Sequence, residues 1–314
     1  MSDDFEPKTE RVRLASAGAR AAVAGSLGKQ PGGTVAKNRI FRALLLLAVG
    51  IALAGLVALL VDAFVEGQGR LSLDLITGSN SFDPEIAGFQ QAIVGTLYLI
   101  AFVILMVVPL GVGAAIYLEE YASRERWWNR LIELNVQNLA GVPSIVYGIL
   151  GLAFIVRGPL DLGFMLFAGS ITLALLVLPT VIIAAREAIR AVPPSIREGS
   201  LALGATEWQT IRRQVLPAAV PGILTGVILA ISRAVGEAAP LLLLGAASFV
   251  TFNPEPFSAD TGWTALPVQI FTFAARPEEG IREVAAAGII LMLAVLLLMN
   301  SFAIWLRNRY EQRW

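Results

Sequence analysis

Residues 40–61 have the sequence IFRALLLLAVGIALAGLVALLV, in which a single arginine is the only charged side chain. About 20 apolar residues form a helix roughly 30 Å long, which matches the hydrocarbon core of a bilayer. Comparable apolar runs follow at five further places: residues 92–118, 135–156, 163–185, 218–247 and 285–306. The sequence therefore predicts an all-α, polytopic membrane protein with six transmembrane helices.

The composition supports a membrane protein and excludes several kinds of enzyme. Apolar residues make up 56% of the 314, charged residues 15%, and the mean hydropathy is +0.70. Soluble domains are about 45–50% apolar and about 25% charged. The chain has no cysteine and no histidine, which removes thiolate ligands, thiol nucleophiles and the commonest general base. We therefore expect no metal, no other cofactor and no enzyme activity in this chain.

The first 38 residues differ in character from the rest of the chain. They are polar, rich in Gly, Ala, Ser and basic residues, and show no apolar periodicity. Such a composition cannot bury enough apolar surface to offset the entropy of ordering. We expect residues 1–38 to form a disordered tail and residues 39–314 to form the transmembrane domain.

The distribution of basic residues predicts the orientation in the membrane. If the N-terminus is cytoplasmic, 19 of the 24 Lys and Arg residues lie on the cytoplasmic side and four lie outside. Cytoplasmic loops of membrane proteins carry this excess of positive charge, so both termini are expected inside. Four tryptophans near predicted span ends are expected to anchor the protein at the membrane interface: Trp127, Trp128, Trp263 and Trp305.

The longest patterned polar segment between spans is PPSIREGSLALGATEWQTIRRQVLP, residues 193–217. Ser195 is a suitable N-cap for a short helix, and Glu198 three residues later completes a capping box. Gly204 can adopt the left-handed conformation that ends this helix. The predicted topology places the whole loop, residues 187–217, in the cytoplasm.

A second short helix is predicted directly after Gly204. Thr206 is its expected N-cap, with Gln209 in the matching position of a second capping box. Pro217 is expected to mark its end, because proline cannot continue the hydrogen-bonding pattern of a helix. A membrane protein with a helix–Gly–helix unit between two spans is expected to present that unit to a partner.

One pair of charges, Arg233 and Glu237, lies inside a predicted span, about midway along it. Their spacing of four residues places them on one helical face. A charge at mid-span costs at least ~2.5 kcal/mol unless it is paired or faces water, so such residues are functional candidates. Mutual neutralisation that only stabilises the helix bundle is the alternative. If Arg233 lines a pathway, its donor fork suits an oxyanion, and Glu237 would keep that anion from binding too tightly.

Polar groups also occur in the predicted third span, in the segment VQNLAGVPSIVYG. Small and kinking residues there usually indicate close helix packing. Asn138, Ser144 and Tyr147 are nevertheless candidates for facing the same pathway as Arg233.

The chain lacks a loop that could bind the phosphates of ATP. No GxxxxGK[ST] motif is present, and the nearest approach, Gly28-Lys29-Gln30, lacks the upstream glycine and the hydroxyl residue. Any ATP hydrolysis linked to this protein must therefore take place on another chain.

The segment EGSLALGATEWQTIRRQVLP, residues 198–217, resembles the cytoplasmic EAA loop of ABC importer permeases. Four residues of that motif are in register: Glu198, Gly204, Leu216 and Pro217. Gly199 and Ser200 replace the two alanines, and Gln214 stands at an aliphatic position. The segments NLAGVPSIVYGILGLAF, TALPVQIF and NRYEQRW extend the similarity to the PstA-type permease subunits of phosphate-specific bacterial ABC importers. The resemblance covers about residues 40–314.

The resemblance implies a type I importer permease that moves inorganic phosphate across the bacterial inner membrane. It implies four kinds of partner: a second homologous permease in a heterodimer, two ATP-binding subunits, a periplasmic or extracellular phosphate-binding protein and membrane lipid, with no cofactor and no nucleic acid. It also implies that a coupling helix contacts the ATPase and that Arg233 and Glu237 take part in phosphate passage. The expected ATPase-coupling residues are Glu198, Gly204, Ala205, Thr206, Trp208, Leu216 and Pro217.

Two other functions stay open at this point. A permease for another oxyanion, such as sulfate or molybdate, would show the same membrane pattern and the same arginine. An anion channel or secondary transporter that needs no ATPase is a different class. Such proteins have no general reason to carry the cytoplasmic helix–Gly–helix unit.

Overall fold

The computed structural model describes residues 32–123, 126–246 and 249–310, and every regular element within these ranges is a helix. The α-helices are α1 (Gly32–Gly67), α2 (Leu73–Thr77), α3 (Gln90–Ile116), α4 (Trp127–Ala140), α5 (Ser144–Leu150), α6 (Leu166–Arg190), α7 (Pro194–Ala202), α8 (Glu207–Thr210), α9 (Leu216–Gly236), α10 (Ala239–Leu243), α11 (Leu266–Ala274) and α12 (Glu279–Tyr310). Three π-helical segments continue this pattern: Tyr117–Tyr121 after α3, Gly151–Val156 after α5 and Ile211–Val215 before α9.

Five helical stretches are long and apolar enough to cross a membrane within the described residues. They are Lys37–Arg70, Gln90–Tyr121, Leu166–Arg190, Glu207–Gly236 and Glu279–Arg309. The remaining predicted span, residues 135–156, is not a straight helix, because α4 and α5 meet at an angle of 107°. The predicted total of six holds if this bent pair counts as one span.

The bend between α4 and α5 has a local cause. α4 ends at Ala140 and is capped by Gly141, and Pro143 precedes α5, where it supplies no backbone N–H to continue the helix. The buried Tyr147 donates its hydroxyl to the carbonyl of Leu139 at 3.0 Å, across the break. Tyr147 therefore fastens the two halves of the bend together.

The described residues divide into two compact units, one up to Asp62 and one from Ala63 onward. In the first unit the described residues belong to α1, and the side chains from 37 to 61 are exposed. Residues 1–31 of the predicted disordered tail lie outside the described residues. Its boundary at residue 38 falls within α1, which begins at Gly32.

The core of the second unit is built on α6, which packs against α3 on one side and α9 on the other. Two thirds of an 18-residue apolar segment of α6 is buried. Close approach to α9 depends on Gly226, since a Cβ there would overlap the Cβ of Ala184. A second cluster surrounds Phe89 and Phe273 where α11 packs on α12.

Trp263 differs from its predicted role as an interfacial anchor. Its side chain is fully buried, its indole N–H donates to the carbonyl of Phe164 at 3.0 Å, and its ring lies against Gly169. A buried indole needs this hydrogen bond, and Gly169 of α6 leaves the room that the ring occupies, since a Cβ there would lie 2.6 Å from it. The prediction was wrong because proximity to a span end does not distinguish the interface from the protein core.

Candidate functional site

The predicted helix–Gly–helix unit is present between α6 and α9, as α7 and α8. Gly204 lies between them with φ +83°, the left-handed conformation predicted from the sequence. The Thr206 hydroxyl accepts from the backbone N–H of Gln209 at 3.3 Å, and the Gln209 side chain accepts from the Thr206 N–H at 3.0 Å. The second capping box is therefore confirmed.

The first predicted capping box is wrong. α7 begins at Pro194, so Ser195 lies inside the helix, and the cap position is held by Pro193 without a side-chain hydrogen bond. Proline is well suited to a first helical turn, because its missing N–H would be unpaired there in any case. Glu198 is therefore not needed to cap α7, and its side chain is exposed.

The predicted end of the second helix at Pro217 is also wrong. The chain continues from α8 through the π-helical segment into α9, so that one helical stretch runs from Glu207 to Gly236. Pro217 occupies an early position of α9, and the π-helical segment before it absorbs the change in hydrogen bonding. α6 extends to Arg190, so the connection outside the long helices is shorter than the predicted loop 187–217.

The α7–α8 unit exposes large apolar side chains. Leu203 is 90% exposed, Trp208 52% and Leu201 46%. The predicted contact residues Glu198, Gly204 and Thr206 are also exposed, whereas three others are half-buried: Ala205, Leu216 and Pro217. Exposed apolar side chains on a segment that also carries polar residues mark an interaction surface.

Arg197 ties this unit to the ends of two long helices. Its guanidinium contacts Glu120, in the π-helical segment after α3, with the shortest N–O distance at 2.7 Å. It also donates to the carbonyls of Ile189 at 2.9 Å and Val192 at 2.7 Å, where α6 ends. The Ile189 carbonyl also accepts from the backbone N–H of Val192 at 3.3 Å, so Arg197 adds a second bond there, at a helix end whose last carbonyls lack the regular helical partners. α7 is thus held by one side chain that satisfies groups from α3 and from the end of α6.

A second cluster of charges lies beside the first. Glu119 accepts from Arg190 at 2.8 and 2.9 Å and from Arg186 at 3.4 Å, and its side chain is only 8% exposed. Arg186 also pairs with Glu133 of α4 at 3.1 Å. The two clusters together connect α3, α4, α6 and α7. The sequence analysis did not predict these clusters. Two adjacent acidic residues at the end of an apolar run, Glu119 and Glu120 in YLEEYASRER, could have indicated them.

Arg233 and Glu237 form an ion pair with an N–O distance of 3.4 Å. They do not lie on one helix at mid-span as predicted. α9 ends at Gly236, so Arg233 is in its last turn and Glu237 follows the helix with an extended backbone. The Arg233 side chain is 49% exposed and that of Glu237 18%. The guanidinium therefore has free donor edges, and its position at a helix C-terminus is favourable for a cation.

The three other predicted pathway residues lie on two different helices. Ser144 and Tyr147 belong to α5, which packs against α10, and a Cβ on Gly148 would lie 2.7 Å from the Cα of Pro240. α5 thus lies beside the segment that directly follows Glu237. Asn138 lies in α4, on the other side of the bend, and is exposed. Within the described ranges, no hydrogen bond joins these three side chains to Arg233 or Glu237.

Two polar contacts between α9 and α12 were not predicted. The Ser232 hydroxyl bonds to the Asn300 side chain at 2.6 Å, and Arg307 donates to the Thr225 hydroxyl at 3.2 Å. Ser232 adjoins Arg233, so the first contact holds the turn that carries the guanidinium. The first contact could have been predicted from Asn300, which lies in an otherwise apolar run, because polar side chains inside membranes usually form a hydrogen bond with a neighbouring helix.

No group of three or more His, Cys, Asp or Glu side chains in the described part of the chain is arranged to hold a metal ion. A model of the family of binding-protein-dependent transport system inner membrane components matches residues 107–313. The chain belongs to this family. The match includes α7, α8, Arg233 and Glu237, whereas α1 and α2 precede it.

Individual relatives extend the similarity beyond the family model. The phosphate transport system permease protein PstA of Yersinia pestis is 36% identical over 271 residues, which cover 85% of this chain and 88% of that protein. The corresponding protein of Haemophilus influenzae is 34% identical, with coverage of 84% and 92%. A probable ABC transporter permease, YqgI of Bacillus subtilis, is 30% identical, with coverage of 82% and 92%.

Solved structures of ABC transporters share the fold of this family member. A chain of the bacterial alginate ABC transporter, in complex with a pentasaccharide-bound periplasmic protein, aligns with a TM-score of 0.65 at 17% identity. The alignment covers 90% of this chain and 98% of that chain. A chain of the MetNI methionine ABC transporter aligns with a TM-score of 0.56 at 18% identity, over 72% and 95% of the two chains. The architecture is therefore that of ABC importer permeases.

Changing Gly204 to valine is expected to weaken the link between α7 and α8. The left-handed backbone at Gly204 costs a residue with a Cβ about 1–2 kcal/mol, and a β-branched residue is particularly unsuited to it. In the assembled transporter we expect a lower ratio of transported substrate to hydrolysed ATP. Gly113→Val is the matched control, because Gly113 also has open space around it but lies in an ordinary helical conformation in α3, outside the α7–α8 unit. An unchanged ratio in Gly204→Val would contradict the expectation.

Proposed function

We propose that this chain is a permease subunit of an ABC importer that moves inorganic phosphate into the cytoplasm, driven by ATP hydrolysis on a separate subunit. The observation that carries the proposal is the similarity to PstA of Yersinia pestis, at 36% identity over most of both chains. Similarity to PstA 1 of Mycobacterium tuberculosis, at 38% identity over 211 residues, supports it further.

The proposed assembly contains a second homologous permease, two ATP-binding subunits and a phosphate-binding protein outside the membrane. A requirement for a further ATP-binding chain agrees with the absence of a nucleotide-binding loop from this sequence. A substrate-binding partner is supported by the family description and by the alginate transporter, whose structure contains a periplasmic protein.

The α7–α8 unit is the proposed docking surface for an ATP-binding subunit. Its support is the exposure of Leu203 and Trp208, beside Glu198 and the left-handed turn at Gly204. Arg197 then transmits movement of the docked unit, because its hydrogen bonds reach the ends of α3 and α6. ATP binding would shift the transporter between two conformations by displacing this unit.

The proposed orientation places both termini and α7–α8 in the cytoplasm. The charge distribution supports this orientation. The Arg197–Glu120 contact also agrees with this orientation. It requires the C-terminal end of α3 and the α7–α8 unit to lie on the same side of the membrane, as the orientation predicts. The family description supports a location in the bacterial inner membrane.

Arg233 is proposed to bind phosphate as the anion passes along the pathway. A guanidinium forms paired hydrogen bonds with phosphate oxygens, and the side chain is half exposed. Glu237, 3.4 Å away, competes with the anion for the same donors and so limits how tightly it is held. Ser144 and Tyr147 are proposed to border this site through the packing of α5 on α10.

Uptake by the reconstituted transporter tests the proposed substrate. Vesicles containing both permeases and the ATP-binding subunits, supplied with the binding protein, are given labelled phosphate and ATP. Unlabelled arsenate should compete, because its tetrahedral geometry and protonation resemble those of phosphate, whereas sulfate and molybdate should not. Competition by sulfate equal to that by phosphate would indicate a different oxyanion permease.

A further inference from the structure

An open cleft lies where the ends of α3 and α6 meet the start of α4. Its volume is about 320 Å³, within the range of roughly 300–1,000 Å³ found for pockets that hold small organic ligands. Two membrane-spanning stretches end beside it, at Tyr121 and Arg190, so the cleft lies at one surface of the membrane. Among the described residues, six line it: Leu118, Ala122, Asn129, Arg130, Glu133 and Arg186.

Two charged side chains of α4 have free hydrogen-bonding groups in this cleft. Arg130 is exposed, and its side chain forms no hydrogen bond or ion pair with the residues that the structure describes. Glu133 pairs with Arg186 through Oε1 at 3.1 Å, and its Oε2 accepts no hydrogen bond in the same part of the chain. Arg130 and Glu133 are three residues apart and therefore lie on one face of α4. The cleft thus offers a set of N–H donors beside a carboxylate oxygen.

The other polar residues of the cleft are held by contacts within the protein. The Arg186 side chain is 9% exposed and lies between Glu133 and Glu119, whose carboxylate is 3.4 Å away. Asn129 is 6% exposed and donates its amide to the carbonyl of Ser123 at 2.9 Å. These residues form the wall of the cleft, and Arg130 and Glu133 are the groups left for a ligand.

The charges in and beside the cleft cancel, which favours a ligand with both signs of charge. A simple anion would gain no net attraction from such a neutral group of residues, and it would also lie close to the Glu133 carboxylate. A ligand with one cationic and one anionic group matches both free side chains. The described charges are three arginines, Arg130, Arg186 and Arg190, and three glutamates, Glu119, Glu133 and Glu187.

The outer surface of α4 favours a lipid over a soluble zwitterion. Trp127 is 70% exposed, Leu131 49% and Leu134 47%, and their spacing of four and three residues makes them one apolar stripe along the helix. The adjacent Trp128 has the guanidinium of Arg126 over its ring at 5.5 Å. Exposed tryptophans beside basic residues are typical of the headgroup level of a membrane. An acyl chain can therefore lie on the stripe while its headgroup enters the cleft.

We propose that the cleft binds the headgroup of phosphatidylethanolamine. The phosphodiester accepts hydrogen bonds from Arg130, and the primary ammonium donates to Glu133. Phosphatidylglycerol has no cationic group, and the cation of phosphatidylcholine has no N–H, so either lipid leaves the Glu133 carboxylate without a donor. The site therefore selects one headgroup, which is more than a general contact with membrane lipid. The inference does not depend on the proposed transport function.

The test counts lipids that stay bound to the assembled transporter. The transporter is stripped of lipid in detergent and titrated with phosphatidylethanolamine, phosphatidylglycerol or phosphatidylcholine of identical acyl chains, and bound lipids are counted by native mass spectrometry. Arg130→Gln should weaken binding of one phosphatidylethanolamine about tenfold, because charged hydrogen bonds are lost. Ala122→Leu should displace the same lipid by filling the cleft while both charges remain. Arg212→Gln, an exposed arginine of the π-helical segment before α9, is the matched control and should bind normally.

Assembly and thermal unfolding of each variant are measured alongside, so that loss of folding is recognised. Arg130→Gln is the more informative variant, because the exposed side chain has no partner in the described protein whose loss could disturb the fold. Loss of one phosphatidylethanolamine per transporter in both variants, with no change in the other two lipids, would support the inference. An unchanged phosphatidylethanolamine count in both variants, or an equal loss of phosphatidylglycerol or phosphatidylcholine, would overturn it.

Discussion

Replacing Arg233 with glutamine is expected to lower phosphate uptake about 100-fold while the transporter still assembles. Two charge-assisted hydrogen bonds from a guanidinium to an oxyanion contribute about 3 kcal/mol together, which corresponds to about two factors of ten. Glutamine keeps a polar side chain but loses the charge and the paired donor geometry. The measurement is the initial rate of phosphate uptake into vesicles, normalised to the amount of assembled transporter.

Two companion variants show whether Arg233 acts on the anion or only on the fold. Glu237→Gln removes the competing carboxylate 3.4 Å away, so phosphate should be held longer and uptake should slow by a smaller factor. Arg282→Gln, which is exposed and has no side-chain ion pair among the described residues, should leave uptake unchanged. Normal uptake in Arg233→Gln would exclude a pathway role for this side chain.

Replacing Arg197 with alanine is expected to uncouple ATP hydrolysis from transport. The change leaves Glu120, whose side chain is 12% exposed, without its partner, and it also removes two hydrogen bonds to the end of α6. Loss of charged hydrogen bonds at a partly buried site costs about 2–3 kcal/mol. We expect ATP hydrolysis by the assembly to continue and phosphate uptake to fall about tenfold or more.

An exposed ion pair nearby provides the control for Arg197. Glu187 pairs with Arg190 at 3.1 Å, and the two side chains are 63% and 41% exposed. Such surface pairs contribute about 0–1 kcal/mol, so Glu187→Gln should change neither activity measurably. Arg197→Lys keeps the charge but cannot form the same set of bonds, and its uptake should lie between wild type and alanine. Uptake that stays coupled in Arg197→Ala would contradict the transmission role.

The apolar runs were sufficient to predict most of the fold, because bilayer thickness sets helix length directly. The run at residues 135–156 was the exception. There the apolar run continues across Gly141 and Pro143, but the helical backbone does not. Hydropathy measures only the side chains, so it does not register that Pro143 lacks the backbone N–H that a continuous helix needs. At Pro217 the helix continues where the sequence predicted that it would end. A proline in the first turn of a helix is compatible with its continuation, so its presence did not decide where the helix ends.

Local rules predicted the α7–α8 unit where only local geometry was involved. The turn at Gly204 and the capping box of Thr206 and Gln209 depend on neighbours within a few residues, and both predictions were confirmed. Ser195 satisfied the same pattern, but Pro193 and Pro194 allowed the helix to begin two residues earlier, at Pro194. A capping motif therefore predicts the start of a helix only when the residues just before it, such as prolines, cannot begin the helix themselves.

The contacts that connect the α7–α8 unit to the spans could not be predicted in this way. Arg197 and Glu120 are 77 residues apart, and their contact depends on how α3 and α6 pack. Gln269 of helix α11 likewise donates to the carbonyl of Gly88, 181 residues away in the chain. Such sites depend on tertiary packing, whereas the predicted exposure of the α7–α8 unit followed from its polar sequence alone.

The most direct test of the account is whether phosphate uptake requires ATP and the ATP-binding subunits. Vesicles with the complete assembly and binding protein are compared with and without enclosed ATP, and with a hydrolysis-deficient ATP-binding subunit. We expect accumulation of labelled phosphate against its gradient only with ATP and active subunits. Equal phosphate entry without ATP, or entry through the permeases alone, would contradict a permease role and would indicate an anion channel or secondary transporter.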